Sequence, residues 1–552
     1  MFILLLVCSI FFYVIVYFLY GGFLARVLGL DDTKAVPSQT LADGVDYCAA
    51  HPAVLMGHHF SSIAGAGPIV GPIAAALLFG WFPALLWCLL GAAFLGGVHD
   101  MAAIVASVRH EGKSIGEVID RWVGRRGKRL FLCFTWFALI LVVAVFLELS
   151  AKTFAQEPAV AFSGILYMGL AVIFGLAVYR FKVPLWLSTV VLLPIVLGAV
   201  WYGVSAEWVK TWFSWSIDTW RIVLAGYVIV ASVLPVWLLL QPRDYLASFV
   251  LYFALGISII GILLGGAHLQ SSLPAFKSFH TEQGEQLWPM LFIMVACGAI
   301  SGFHSLVASG TTAKQIRRES DATLIGYGAM LIEGVLAVVA IITVMIVGSV
   351  QGKTPVAIFS SGFGQFAAVL GIRAEVGTAL GLLAINTFIL TSLDTASRIA
   401  RYQLQELTNM KLDRYSATLA GVVLALALIY VKTGDVPAHE RIWPMFGTSN
   451  QLVAALALLG VSLWVIKGLK KPATFLIIPM IFMALTTFAA LVFLLQNSLD
   501  KGDYVLGVIA AVLLVLAILL YREAWYAFTR GSEAENNRHE PLPQTLQTSE
   551  GK

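Results

Sequence analysis

The chain alternates long apolar runs with short polar breaks from its second residue to about residue 525. A bilayer's hydrocarbon core is about 30 Å thick and takes roughly 20 apolar residues in helix to cross. By that measure the pattern predicts about fifteen transmembrane helices, at 3–24, 60–80, 84–108, 130–151, 160–179, 185–204, 222–240, 246–266, 289–312, 324–348, 377–397, 416–431, 449–466, 474–495 and 504–521. The expected fold class is all-α and polytopic. The remaining stretches read as connections; the longest outside ones, 267–288 and 349–376, are loop-sized.

Composition excludes the alternatives. With 59% hydrophobic and 12% charged residues, no water-soluble fold could hide the apolar surface. The expected surroundings are a lipid bilayer, with no nucleic-acid partner; oligomeric state stays open. The five cysteines are scattered, with neither a disulfide framework nor zinc-ligand spacing. The first run has no basic residue before it and no small-residue cleavage site after it, so it reads as a retained span.

Charge placement gives a direction. Threaded alternately with the N-terminus outside, 26 of the 35 Lys and Arg fall in the segments assigned inside: 25–57, 109–129, 180–184, 241–245, 313–323, 398–415, 467–473 and the end from 522. That bias is what retention of basic loops on the cytoplasmic side produces. Loop 109–129 reads as a short amphipathic helix with a basic end lying on anionic lipid. The end from Gly531 has almost no apolar residues and reads as a disordered tail, with 526–552 assigned to it.

Polar and helix-breaking residues within hydrocarbon are costly, so each is a candidate for function. The richest cluster is GHHFSSIAGAGPIVGP at 57–72. Its prolines remove amide donors and its glycines loosen the helix, which predicts a break. Such a break exposes free N–H groups able to hold an anionic group. Close packing through small residues is the competing explanation. Ser61, Ser62, Gly65, Ala66 and Gly67 are therefore candidate substrate-binding residues. His58 and His59 are adjacent and point apart, which disfavours joint metal ligation and leaves proton handling or hydrogen bonding. A second break is expected in Ser232–Tyr245, at Pro235, with Gln241, Pro242, Arg243 and Asp244 closing the span on the cytoplasmic face. Its five-span offset from Gly65 matches an inverted five-helix repeat.

In CGAISGFHSLVASGTTAKQ, 297–315, Ser301, Ser305 and Ser309 recur every four residues beside His304, with Thr312 seven after Ser305. This stripe offers oxygens to a solute or to Na⁺; serines bonded back to their own helix are the plain alternative. Among intramembrane acids, Asp100 and Asp394 read as partners of basic neighbours such as Arg398. Glu148 and Glu333 show no local partner, so one of them is a candidate proton carrier. Trp443–Gln451 reads as a polar cap opening a span.

Taken together, GHHFSSIAGAGPIVGP, the VHD at 98–100, QPRDY at 241–245, CGAISGFHSLVASGTT at 297–312, TSLDTASR at 391–398 and WPMFGTSNQ at 443–451 resemble the carbon starvation protein A family from about residue 2 to 525. The resemblance implies a secondary transporter of bacterial inner membranes, for peptides or pyruvate, by proton symport. It also implies the five-plus-five inverted repeat of the amino acid, polyamine and organocation superfamily, which is leucine-transporter-like. On that frame residues 58–400 form the transport core, 1–57 an extra N-terminal helix and loop, and 401–525 four accessory helices. The expectation is alternating access with a carboxylate-bearing solute (pyruvate or peptide) at Gly65–Gly67. His58, His59, Glu148, Ser309, Thr312 and Glu333 are candidates for coupling H⁺ or Na⁺, with the N-terminus periplasmic and the C-terminus cytoplasmic. No cofactor or metal is expected, nor an ATP-driven step, since the sequence has no phosphate-cradling loop. A membrane enzyme with a metal on His58, His59, His99, Asp100 and His304, and a passive channel, are the rival readings.

Overall fold

Where apolar runs meet lipid, helices form because no water is present to satisfy the backbone. A computed structural model describes residues 1–43, 47–234, 238–281, 284–347, 353–431 and 438–529. The principal helices are α1 (Phe2–Leu28), α2 (Pro52–Ile63), α3 (Gly67–Phe79), α4 (Trp81–Arg109), α5 (Ile115–Trp122), α6 (Arg125–Gln156), α7 (Pro158–Val178), α8 (Leu185–Ser205), α9 (Ile217–Val233) and α10 (Leu240–Gly265). After them come α11 (Leu287–Val295), α12 (Gly302–Gly310), α13 (Thr323–Ile346), α14 (Pro355–Val369), α15 (Ala374–Leu407), α16 (Arg414–Tyr430), α17 (Ala438–Leu463), α18 (Thr474–Asp500) and α19 (Tyr504–Thr529). Several begin as their sequences dictate. Proline stands in the first turn of α2, α7 and α14, and Ser216, Thr354 and Asp413 cap α9, α14 and α16.

Among the described residues, twelve helical stretches are long and apolar enough to cross a membrane, or thirteen counting the bent pair α2 and α3 as one span. This is fewer than the fifteen expected, because α9 and α16 stop at 17 residues each. The run at 222–240 is helical only to Val233; Pro235, where the second break was expected, lies outside the described residues. Residues 349–376 are more than a loop, since the 15-residue α14 packs its buried face on α15. Gly362 and Gly364 let it approach closely: a Cβ there would meet Thr343 and Thr378 at 2.5 and 2.3 Å. WPMFGTSNQ does not open a helix but lies inside α17. The last helix runs to Thr529, and the expected tail beyond it lies outside the described residues.

Burial sorts the helices into an inner set and a lipid-facing set. In the 18-residue apolar core of Leu287–Lys314, Thr323–Ile346 and Arg441–Gly468, 94% of residues are buried within the protein, against 28% in Phe2–Leu28 and 33% in Tyr504–Thr529. Leu4, Phe11, Phe18, Leu485 and Val508 remain exposed on the outer set, as a hydrocarbon solvent permits.

Contacts sort the loops into two faces. On one, Arg109 pairs with Glu319 and donates to the Gly29 carbonyl (2.9 Å), Ala50 N–H reaches Gln315 O (2.9 Å), and Lys471 reaches Val27 O (2.8 Å). On the other, Phe82 N–H bonds Ala275 O (2.9 Å), Ser272 N–H bonds Met345 O (2.7 Å), and Arg373 lies over Trp201. These groupings follow the alternation predicted from the basic loops. Arg243 and Asp244 depart from it: they lie within α10, both fully buried, because each finds a charged partner inside the protein.

Candidate functional site

The GAGP segment is broken. Helices α2 and α3 meet at a 45° bend, with Ala64, Gly65 and Ala66 between them. Gly65 N–H folds back onto Ile63 O (2.8 Å), while the amides of Ala66 and Gly67 have no acceptor among the described residues. These two donors stand at the N-terminus of α3, where the helix dipole favours an anion. Ser392 of α15 faces the same point. Its hydroxyl is buried without a partner, 2.7 Å from where a Gly65 Cβ would stand. Glycine is required at Gly67 as well, since a Cβ there would come within 2.5 Å of Cys297.

A second break packs against the first. Between α11 and α12 the chain makes a short 3-10 turn at Ala296–Gly298 and an extended residue at Ser301. Gly71 of α3 lies so close that a Cβ would stand 2.3 Å from Met294 O. Here two of the freed backbone groups, Phe303 N–H and Phe292 O, are satisfied from α17. Asn450 accepts from Phe303 N–H (2.9 Å) and donates to Ser301 Oγ (3.0 Å), and Gln451 donates to Phe292 O (2.6 Å). The polar run TSNQ thus fills part of the second break, whereas among the described residues no side chain reaches the Ala66 and Gly67 amides of the first.

Beside the breaks runs a buried chain of ionisable groups. Asp100 of α4 takes His99 Nδ1 on one oxygen (2.7 Å) and His304 Nδ1 of α12 on the other (2.8 Å). His304 Nε2 stands 3.5 Å from Glu333 of α13, an ion-pair distance beyond a hydrogen bond, and neither Glu333 oxygen has a hydrogen-bond partner. His59 Nδ1 contacts Thr312 Oγ1 at 2.8 Å. His99, Asp100, His304 and Glu333 are at most 1% exposed.

A separate buried cluster joins α10 to α15. The Arg243 guanidinium pairs with Asp394 and with Asp244 (3.1 Å), and Tyr227 Oη donates to Asp394 (2.6 Å). Asp244 lies 3.5 Å from both His58 Nδ1 and Ser62 Oγ.

Sequence comparison adds identity to this geometry. The family profile described as "Carbon starvation protein CstA" matches residues 1–351 and 347–490. The chain belongs to that family. Among CstA relatives, the "Peptide transporter CstA" of Helicobacter pylori is 32% identical over 570 residues, covering 90% of this chain and 82% of its own. The "Pyruvate/proton symporter BtsT" of Escherichia coli is 31% identical over 549 residues, covering 82% and 76%. A solved structure of MhsT in complex with L-phenylalanine aligns with 86% of this CstA-family chain and 99% of its own at TM-score 0.47 and 14% identity.

Of the residues singled out from this CstA-family sequence, Gly65, Ala66 and Gly67 stand at the break, with Ser301 across it on Asn450. Ser61 and Ser62 bond back to His58 O (3.1 and 2.8 Å), and Ser61 also reaches Asp244 O. Ser305 and Ser309 bond back within their own helix (both 2.7 Å), so the hydroxyl stripe takes its plain reading there. Glu148 has a partner after all: Arg221 grips both oxygens at 2.5 and 2.6 Å, a pairing 73 residues apart that local inspection misses. Asp394 pairs with Arg243 and not with Arg398, which instead bonds the carbonyls of Ala231 and Leu234 (both 2.8 Å). The histidines named for a metal go to three different partners: His58 stands by Asp244, His59 by Thr312, and His99 and His304 by Asp100. Reasoning from sequence passed over Ser392 and Asn386, both buried and unpartnered on α15; polar residues in the run LLAINTFILTSLD were the available signal.

Proposed function

We propose that the protein imports a small carboxylate-bearing solute, pyruvate or a short peptide, by proton symport with alternating access. The observation that carries this reading is the pair of vacant amides at Ala66 and Gly67, with the Ser392 hydroxyl beside them, in the middle of a membrane-embedded bundle. A carboxylate at α3's N-terminus takes those donors, and the His304, Asp100 and Glu333 chain carries the coupled proton. Glu333 suits that task because its oxygens are unengaged and His304 stands next to it. The names of the relatives, a peptide transporter and a pyruvate/proton symporter, support the solute class and the ion.

The alternating unit is an inverted repeat in a different register from 58–400. Residues 52–205 and 287–468 each begin with a broken helix. Each then places a short helix, α5 or α14, before its longest member, α6 of 32 residues or α15 of 34. In this reading α9 and α10 are an insertion, and α1, α18 and α19 flank the core. The N-terminus is periplasmic and the Arg109 face cytoplasmic.

The test is uptake of labelled pyruvate and of dialanine into proteoliposomes under an imposed proton gradient, then a Na⁺ gradient. Concentration of one solute under the proton gradient is expected. If neither concentrates under either gradient, the assignment is wrong.

A further inference from the structure

Arg243 is an unusual residue to find where it is. Its side chain is 0% exposed inside a bundle that lies in hydrocarbon, where an arginine is tolerated only for a role that needs it. Its partnering is also incomplete. A guanidinium carries five N–H donors, and Nε of Arg243 has no partner. Asp394 offers it one oxygen, Oδ2, while Oδ1 is buried without any. A pair selected only to hold two helices together is expected to close as a two-pronged fork, as Arg221 and Glu148 do in this molecule. The charge count is uneven too, with two carboxylates, Asp244 and Asp394, sharing one guanidinium.

The surroundings tie this cluster to the solute path. Asp244 touches His58 and Ser62 of α2, the half-helix that ends at the vacant amides, and Ser392, facing Gly65, stands two residues before Asp394 on α15. Tyr167 holds the Arg243 carbonyl from α7, and Tyr227 of α9 bonds both Arg243 (2.9 Å) and Asp394. If Asp394 lets go of the guanidinium, it keeps the Tyr227 hydroxyl, and Arg398, four residues on along the same helix, has an unpartnered Nε to offer it.

Resting on the functional reading above, we propose that Arg243 is a second carboxylate station, between the Ala66 and Gly67 amides and the Arg109 face, and that Asp394 holds its guanidinium while no solute is there. The solute's carboxylate leaves the amides, takes the two-pronged site on Arg243 as Asp394 swings away, and is released when Asp394 returns. The ligand class is a monocarboxylate, because one guanidinium fork fits one carboxylate.

The experiment separates a station from a structural pair. Uptake of labelled pyruvate and dialanine is measured in right-side-out membrane vesicles for wild type and the double variant Arg243→Gln/Asp394→Asn, with counterflow from loaded vesicles giving the half-saturating internal concentration. A structural pair predicts an internal half-saturation equal to wild type, even if the loss of the Asp244 contact (3.1 Å) lowers the maximal rate. The station predicts an external KM within about twofold of wild type, a maximal rate roughly tenfold lower, and a raised internal half-saturation. A double variant at the wild-type maximal rate, or with the wild-type internal half-saturation, overturns the proposal. Should that variant not reach the membrane, Arg243→Lys decides: a point charge without the fork is expected to raise internal half-saturation roughly tenfold, and an unchanged value overturns the proposal. Absence of any uptake by the wild type instead refutes the functional reading itself.

Discussion

At Gly67 a single methyl group decides whether the first break can form. Its Cβ would stand 2.5 Å from both Cβ and Sγ of Cys297, closer than side chains pack, so Gly67→Ala is expected to cut uptake at least tenfold. Gly67→Ala/Cys297→Gly should recover part of it; no recovery in labelled-solute uptake would mean the methyl acts otherwise than by that contact. Glu333→Gln removes a proton-binding group while keeping its shape. Accumulation driven by a pH gradient should vanish, with solute exchange across the membrane preserved, and gradient-driven accumulation at the wild-type level would clear Glu333 of the role. Glu148→Gln tells the opposite story. That change leaves the Arg221 guanidinium only the exposed Asp218 (2.7 Å) in place of a buried carboxylate, at a cost of roughly 1–3 kcal/mol, so the melting temperature should drop while proton dependence stays; lost coupling at an unchanged Tm would reverse this assignment.

At the scale of elements, the two breaks differ in who completes them. The second is held by α17, whose Asn450 caps α12 at Phe303 N–H and Ser301. Asn450→Ala therefore leaves a buried amide unsatisfied and is expected to destabilise the protein by roughly 1–3 kcal/mol. Thermal unfolding in detergent measures it, and a Tm equal to wild type would show that the cap contributes nothing. At the first break no side chain among the described residues completes the Ala66 and Gly67 amides, and those are the donors proposed to hold the solute. Sequence made that break visible, since two prolines and three glycines within eight residues cannot sustain a regular helix. The break expected at Pro235 lies outside the described residues; the further one at Ala296–Ser301 goes unread in the sequence because it carries no proline and is enforced by packing with α3 and α17.

At the scale of the molecule, the outer helices face lipid and the inner ones bury the charged chains. Two exposed positions on opposite faces test the proposed orientation. In a Cys48→Ser background, Ser214→Cys should react with a membrane-impermeant maleimide in intact cells, and Lys411→Cys only after the membrane is opened. The reverse pattern would invert the orientation.

What the sequence determined by itself was the class and the alternation. Apolar runs of the length of a bilayer can only become helices, because lipid offers the backbone no other hydrogen-bond partners, and the basic loops repeat from side to side with them. It also drew attention to Asp100, His304, Glu333 and Asp394 as buried polar groups, since a polar group inside such a run is conspicuous. The tertiary structure alone decided which of these groups meet. Glu148 finds Arg221 across 73 residues of chain, Asp394 finds Arg243 across 151, and His304 bridges Asp100 and Glu333, of which Asp100 lies 204 residues away. Such pairings depend on how helices pack in space, and helical periodicity carries information only about neighbours three or four residues away.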